Sequence, residues 1–291
     1  MWAEQNGYVF ANKGLEGGDG KNGGGSSPNY ANIGKEPTES LNLPCTMVSY
    51  RDAIIWCNAY THMLKGNQNE CVYKNSEGKI LQDATEKVEN KFVCDSAIQD
   101  IEKTGFRLPT EAEWEFSARY KKNDVYAVKI KDFYLTRLDA GSGGIASTGF
   151  DGYEFLPGET ADSLKDKLLV VANFSQYWKD GDWADILESK GAIDVGSKKA
   201  NDLGIFDMSG NVWEWCFDFY DSNPAKDDAS YTQDGVVLKP QGAKKGTLKC
   251  TRGGSWESPA TKCSVGYRRG TFDVPSKRSD TLGFKLCYSV K

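Results

Sequence analysis

The sequence predicts a mixed α+β fold with two helices, small mixed sheets and a high loop content. Three observations carry this reading. Hydrophobic residues make up 39% of the 291 positions and glycines number 31, a balance unsuited to a helix bundle. Aromatic residues reach 12%, including 8 Trp and 14 Tyr, enough large side chains to anchor a loop-rich globular domain and to argue against a disordered chain. Two segments also carry helix-start signals ahead of apolar positions at helical spacing, and one aromatic run reads as a strand.

The elements follow in order. Residues 1–43 are loop-like, and Lys13 to Pro28 is too dense in Gly, Asn and Ser to build a core. Ser49 is the N-cap of the first helix, with Asp52 at the capping-box position. Ala53, Ile54, Trp56, Cys57, Tyr60 and Leu64 are expected to form its buried face, and His62 on the same helix is read as non-catalytic. Cys71–Tyr73 and Lys79–Leu81 flank Asn75-Ser76-Glu77-Gly78, a hairpin signal. Thr110 and Glu113 form a second capping box, opening a helix that turns Trp114, Ala118 and Tyr120 or Phe116 to the core. Residues 121–200 hold loops, insertions and polar helix-like pieces. Within them, Lys179 to Asp185 is an acidic stretch, read as a solvated loop that lacks EF-hand spacing. Gly204 to Asn211 reads as a strand and tight turn, and Val212 to Tyr220 as a buried strand. No repeat and no clean linker divides the chain, so residues 1–291 are expected to form a single domain.

Composition excludes several functions. The formal net charge is −5, which gives no reason to expect nucleic-acid binding. Residues 252–286 nevertheless carry seven Lys or Arg against three acids, a local +4. No apolar run approaches the ~18 residues of a membrane span. MWAEQNGYVF lacks the basic and apolar regions of a signal peptide, so the protein is either cytosolic or has had a leader cut away, any leader or anchor then lying upstream. The eight cysteines include no C-x-x-C pair, which argues against zinc ribbons and thioredoxin-like chemistry, and their apolar flanks suggest buried thiols. A single histidine, His62, excludes centres that need several imidazoles.

The stretch Arg252 to Phe284 follows no helical or strand period and contains few apolar residues. It opens on Arg252-Gly253-Gly254-Ser255-Trp256 and closes on Leu282-Gly283-Phe284. Such a stretch has to be held by anchors at its ends and by whatever lies beneath it.

Four segments, PCTMVSYRDAIIWCNAY (44–60), GFRLPTEAEWEFSAR (105–119), DLGIFDMSGNVWEW (202–215) and RGGSW to LGF (252–284), closely resemble the formylglycine-generating-enzyme, or sulfatase-modifying-factor, family. That resemblance implies a variant of the C-type lectin fold. It also implies a pair of active-site cysteines on the last segment, which fall here at Ser258 and Cys263. A hydroxyl does not replace a thiolate as a soft metal ligand or redox partner, so the family's cysteine oxidation is in question. The oxidoreductase alternative would use Cys263 alone or with Cys250 or Cys287, and a degenerate non-catalytic relative is a further alternative. The resemblance also implies a structural calcium at Asn211 and Glu214, with no other cofactor required. A hydrogen-bonded Asn turn and a Glu paired to an arginine such as Arg252 is the competing reading.

The last segment resembles the variable proteins of diversity-generating retroelements more sharply. In these, fixed anchors alternate with positions rewritten by a mutagenic reverse transcriptase. Arg252 to Trp256, Cys263, Arg268, Pro275, Arg278 and Leu282 to Phe284 match the anchors. The resemblance makes Glu257, Ser258, Pro259, Thr261, Lys262, Tyr267, Arg269, Gly270, Thr271, Phe272, Lys277, Ser279, Asp280 and Thr281 the ligand-binding positions. They are expected on an exposed, ordered surface with Trp256, Arg278 and Phe284 beneath it. The expected protein is a non-catalytic monomer at the cell surface or outside the cell, binding a protein or other macromolecule through residues 257–281.

Overall fold

The computed structural model describes residues 1–18, 29–37, 42–123, 128–130, 133–150, 153–187, 190–221, 232–233, 236–237, 242–243, 245–269 and 273–290. Four α-helices lie among them: α1 Trp2–Gln5, α2 Tyr50–Lys65, α3 Glu111–Arg119 and α4 Ala161–Leu169. The two helices expected from capping boxes are α2 and α3. Each starts on the reciprocal pair, Ser49 with Asp52 and Thr110 with Glu113. Helix α4 also starts on a reciprocal pair, Thr160 with Ser163, whose serine falls outside the usual Glu or Gln signature. Gly66, at φ 69°, ends α2 in the left-handed conformation that glycine adopts without penalty.

Helix α2 buries Tyr50, Ala53, Ile54 and Cys57 completely, packed against Trp215, Val72 and Leu108. Trp56 and Leu64 do not share that face: they are 36% and 54% exposed. With Tyr60 they run four apart along another side of the helix. There Trp56 stacks on Tyr60 at 4.7 Å and meets Phe284 at 5.6 Å. Spacing alone merged two adjacent stripes into one. On α3, Trp114 and Ala118 are buried as expected, whereas Phe116 is 40% exposed and rests edge-on against Phe133.

The central sheet has three strands. Trp213–Phe219 runs in the middle, antiparallel to Lys249–Arg252 and parallel to Leu282–Gly283. Both faces of the middle strand are covered. Trp213 and Trp215 join the α2 core, while Cys216 joins Trp114, Met208 and Cys250 on the other side. This explains why the run reads as continuously apolar and aromatic. The register sets Glu214 beside Arg252 and Gly283, so the strand ties together both ends of the 252–284 stretch.

Other elements are small. Tyr73–Lys74 pairs with Ile98–Gln99, and the expected hairpin at Asn75–Gly78 survives as a tight turn with a single Lys74–Ile80 bridge. Residues 204–211 form turns and no strand. Asp207, Gly210 and Asn211 have φ of 56°, 74° and 65°, which no extended strand accommodates. Cys287–Tyr288 pairs with Phe106–Arg107 and docks the C-terminal segment on the α2 side.

Candidate ligand-binding face

The 252–284 stretch is held from below by charge. Arg252 is fully buried, its guanidinium 4.9 Å from the centre of the Trp114 ring. It donates to Glu115 Oε2 at 2.8 Å, to the carbonyl of Val265 at 2.9 Å, and to the carbonyl of Tyr267. Arg268 makes a two-pronged bond to Glu111 at 2.6 and 2.7 Å. Burial works against ionisation of Glu111. Its bond to Arg268 and the charges of Arg252 and Arg268 overcome that penalty and hold its carboxyl below the usual range. Helix α3 therefore supplies the acids, and the last segment supplies the arginines that sit on them.

Backbone geometry does the rest. Gly253 and Gly254 have φ of 96° and 78°. A Cβ on Gly254 would lie 2.5 Å from Cys263 Sγ and 2.9 Å from the Lys262 carbonyl oxygen, so the thiol is the lid of this turn. Ser258 Oγ accepts from the Ser255 amide at 3.1 Å and lies 3.0 Å from Ser255 Oγ. Further on, Asp273 is fully buried and accepts from Thr251 Oγ1 at 2.6 Å. It pairs with Lys277 at 2.9 Å and Arg269 at 3.5 Å. At the far end the carbonyls of Ser279 and Thr281 accept from the amides of Met47 and Trp213.

The expected ligand-binding positions divide by exposure. Glu257 and Lys262 are exposed, and Pro259, Thr261, Tyr267, Arg269, Lys277, Ser279 and Asp280 are half-buried. Ser258 and Thr281 are buried, each 5% exposed, because both are spent in local hydrogen bonds. Gly270, Thr271 and Phe272 lie outside the described residues. Tyr267 leans on Trp213 at 5.8 Å, and the Arg269 guanidinium covers the same ring at 4.9 Å. Of the three residues expected beneath the surface, Trp256 is buried and Phe284 half-buried. Arg278 is exposed, because its partner, Asn12 Oδ1 at 2.7 Å, belongs to the exposed N-terminal segment.

All eight cysteines are free. Cys263 packs among Leu168 and Phe174, Cys250 among Trp114 and Met208, and Cys287 against Arg107. The fold thus seats the three in separate surroundings. Burial pushes the Cys263 thiol up to about 12.

The implied calcium ligands fare differently from one another. The Asn211 side chain is engaged on both atoms: Oδ1 accepts from the Ile193 amide at 3.0 Å and Nδ2 donates to the Ile193 carbonyl at 3.1 Å. The oxygen keeps a second lone pair. Glu214 pairs with Lys285 at 3.0 Å and accepts from Trp114 Nε1 at 2.7 Å, not with Arg252. Burial raises its carboxyl, and Lys285 and Trp114 work against that rise. Glu214, Asp207 and Asn211 line one cavity of about 260 Å³, together with Lys285 and Phe284. Asp207 Oδ2 accepts from the Gly196 amide at 2.7 Å, while its buried Oδ1 has no hydrogen-bond partner among the described residues. Two carboxylates in one cavity, one with an oxygen left over, fit a hard cation. Asp207 was not singled out from sequence. Its only signal was its place four residues before Asn211 in a glycine-flanked turn.

A second feature unread from sequence borders the face. Gln176–Lys179 and Asp182–Asp185 form an antiparallel hairpin that carries the acidic stretch, and Gln176 bridges to Pro259.

The family model for the sulfatase-modifying factor enzyme 1-like domain matches residues 1–290. The chaperone protein LppX of Paenibacillus barcinonensis is 27% identical over 232 residues, covering 79% of this chain and 65% of that protein. The formylglycine-generating enzyme of Thermomonospora curvata is 25% identical over 189 residues, covering 62% of this chain and 48% of that protein. The chain thus spans about half to two thirds of the length of these two relatives. Among solved structures, Treponema denticola variable protein 1 superposes with a TM-score of 0.53 at 24% identity, over 96% of this chain and 92% of that one. At that identity the likeness speaks for the fold.

Proposed function

Since this chain belongs to the sulfatase-modifying factor enzyme 1-like family, with its C-type lectin fold, we propose that it binds a ligand on the 257–281 face and performs no catalysis there. One observation carries the reading. The buried residues Arg252, Gly254, Trp256, Cys263 and Asp273 fix the backbone of the stretch, while Glu257, Pro259, Thr261, Lys262, Tyr267 and Arg269 between them reach the surface. Such a frame keeps its shape while the intervening residues change. The pattern of anchors and intervening residues supports diversification by a retroelement, with Glu257, Lys262, Tyr267 and Lys277 among the replaceable contacts. A protein or other macromolecular ligand, display at the cell surface and a monomeric state belong to the same proposal.

The absence of catalysis is supported by Ser258 and Cys263. The hydroxyl closes a serine turn, and the thiol is buried and held protonated. A structural calcium held by Asp207 and Glu214 completes the proposal; bound there, it would cross-link the 204–211 turns to the central strand.

Sequencing the locus in sister isolates tests the reading. Substitutions are expected to concentrate between 257 and 281 and to spare Arg252, Gly254, Trp256 and Cys263. An even spread along the chain would overturn it. Formation of an aldehyde on a cysteine peptide, with oxygen uptake and bound copper, would establish the oxidoreductase instead.

A further inference from the structure

The 176–185 hairpin presents two tryptophans next to the proposed binding face. Its turn residues Asp180 and Gly181 have φ of 53° and 87°, the double-positive pattern of a tight two-residue hairpin loop. Trp178 stands opposite Trp183 across the strands, with ring centres 5.2 Å apart at 76°. Strand alternation sends Tyr177 and Ala184 inward and leaves the tryptophans outward, with Trp178 37% exposed.

The hairpin is rooted in the binding segment. The Ser175 amide donates to the Ser258 carbonyl at 2.9 Å, and Ser175 Oγ to the Glu257 carbonyl at 2.8 Å. Gly149, at φ 98°, lets the pieces meet. A Cβ there would lie 2.9 Å from the Trp183 ring, 3.0 Å from Trp178 and 3.1 Å from the Thr261 methyl. The indoles and Thr261 therefore share one patch.

The patch is acid-rimmed. Asp185, in register with Gln176, lies on the same side of the hairpin as the indoles, Asp180 sits at the tip and Glu257 at the root. All three are exposed, and none has an ion-pair partner among the described residues. Lys179 is already held by Asp162 at 2.7 Å. Neither indole carries a cation of the chain's own among the described residues, although Trp114 and Trp213 each hold an arginine. An aromatic surface ringed by carboxylates attracts a planar cation, which stacks on the ring and donates sideways to the acids.

We propose that the Trp178–Trp183 hairpin is a second part of the binding face, outside the replaceable positions, that receives an arginine side chain of a protein ligand. The proposal rests on the reading of 257–281 as the binding face. The hairpin supplies a constant foothold, and the replaceable residues supply discrimination.

The test uses the full chain and two peptides, acetyl-Gly-Arg-Gly-Arg-Gly-amide and its citrulline counterpart, followed by indole fluorescence and calorimetry. The arginine peptide is expected to bind about ten-fold more tightly at low salt. Trp178→Ala should erase that preference. Asp185→Asn, which leaves the hairpin intact, should cut it several-fold. Equal binding of the two peptides, or a preference unchanged in Asp185→Asn, overturns the proposal even where the tryptophan variant fails to fold. Binders selected from a random-peptide display library separate this proposal from the reading beneath it. Dependence on Lys262 and Tyr267 with indifference to Trp178 sinks the hairpin alone. Dependence on Trp178 with indifference to Lys262 and Tyr267 retains the hairpin and sinks the reading of 257–281.

Discussion

Arg252 Nη2 sits 2.8 Å from Glu115 Oε2, a fully buried guanidinium meeting a carboxylate on α3. The same side chain holds the carbonyls of Val265 and Tyr267, so one residue joins the scaffold helix to the binding segment. Arg252→Met takes one cation from Glu115, which keeps Arg119 at 2.8 Å, and leaves the carbonyls of Val265 and Tyr267 without this donor. Leaving buried acceptors unsatisfied costs about 1–3 kcal/mol. Denaturant unfolding should register a loss of that order, and a loss below about 1 kcal/mol would show that the segment is held elsewhere.

The turn at Gly254 is expected to be nearly as sensitive. Alanine there meets a positive φ, the Cys263 sulfur and the backbone of Lys262 and Cys263. We expect Gly254→Ala to cost roughly 1–3 kcal/mol. Adding Cys263→Ala removes the nearest of these obstacles, so the double variant should lose less than the sum of the single changes. Strict additivity in thermal melts would mean that the thiol is not what closes the turn.

Much of this frame was legible because it is local. Ser49 with Asp52 and Thr110 with Glu113 declare helix starts within four residues. The anchors Arg252 to Trp256 and Leu282 to Phe284 likewise announce a held segment. What escaped depends on distant partners. Trp56 and Leu64 have the spacing of a core stripe, yet the core lies on a neighbouring side of α2. Arg278 looked like a buried anchor, but its hydrogen-bond partner is Asn12, more than 250 residues earlier. The Ile193 backbone that engages the Asn211 side chain likewise lies 18 residues earlier. The Trp178–Trp183 pair was hidden because Asp180-Gly181 was read as part of an acidic loop, although the dipeptide is a strong hairpin signal.

Two buried titratable side chains make stability depend on pH near neutrality. Asp218 is raised to about 7, first by burial, and Lys249 is lowered to about 7, also by burial. Lys249 sits 3.6 Å from the Phe219 ring and donates to the Phe217 carbonyl. Between about pH 4 and 7 the folded Asp218 keeps a proton that the unfolded chain has lost, so its contribution falls as pH rises. Between about 7 and 10 the unfolded lysine keeps a proton that the folded one has lost, so that contribution rises with pH. Asp218→Asn should therefore gain on the wild type as pH climbs from 5 to about 7. A stability difference flat across that window, measured by denaturant unfolding, would contradict the assignment.

Asp207 and Glu214 lead to the last expectation. A calcium ion held by these carboxylates binds the folded chain only, so it raises stability by mass action. At calcium near ten times its dissociation constant the gain is about 1.4 kcal/mol, visible as a higher melting temperature that chelator reverses. Asp207→Ala and Glu214→Gln should each abolish the calcium response. Asn211→Asp should keep or strengthen the response, because it adds a carboxylate to the lining of the same cavity. The substitution loses the donor to the Ile193 carbonyl and so lowers the melting temperature with or without calcium. A response that survives both Asp207→Ala and Glu214→Gln would move the ion out of this cavity and refute the assignment.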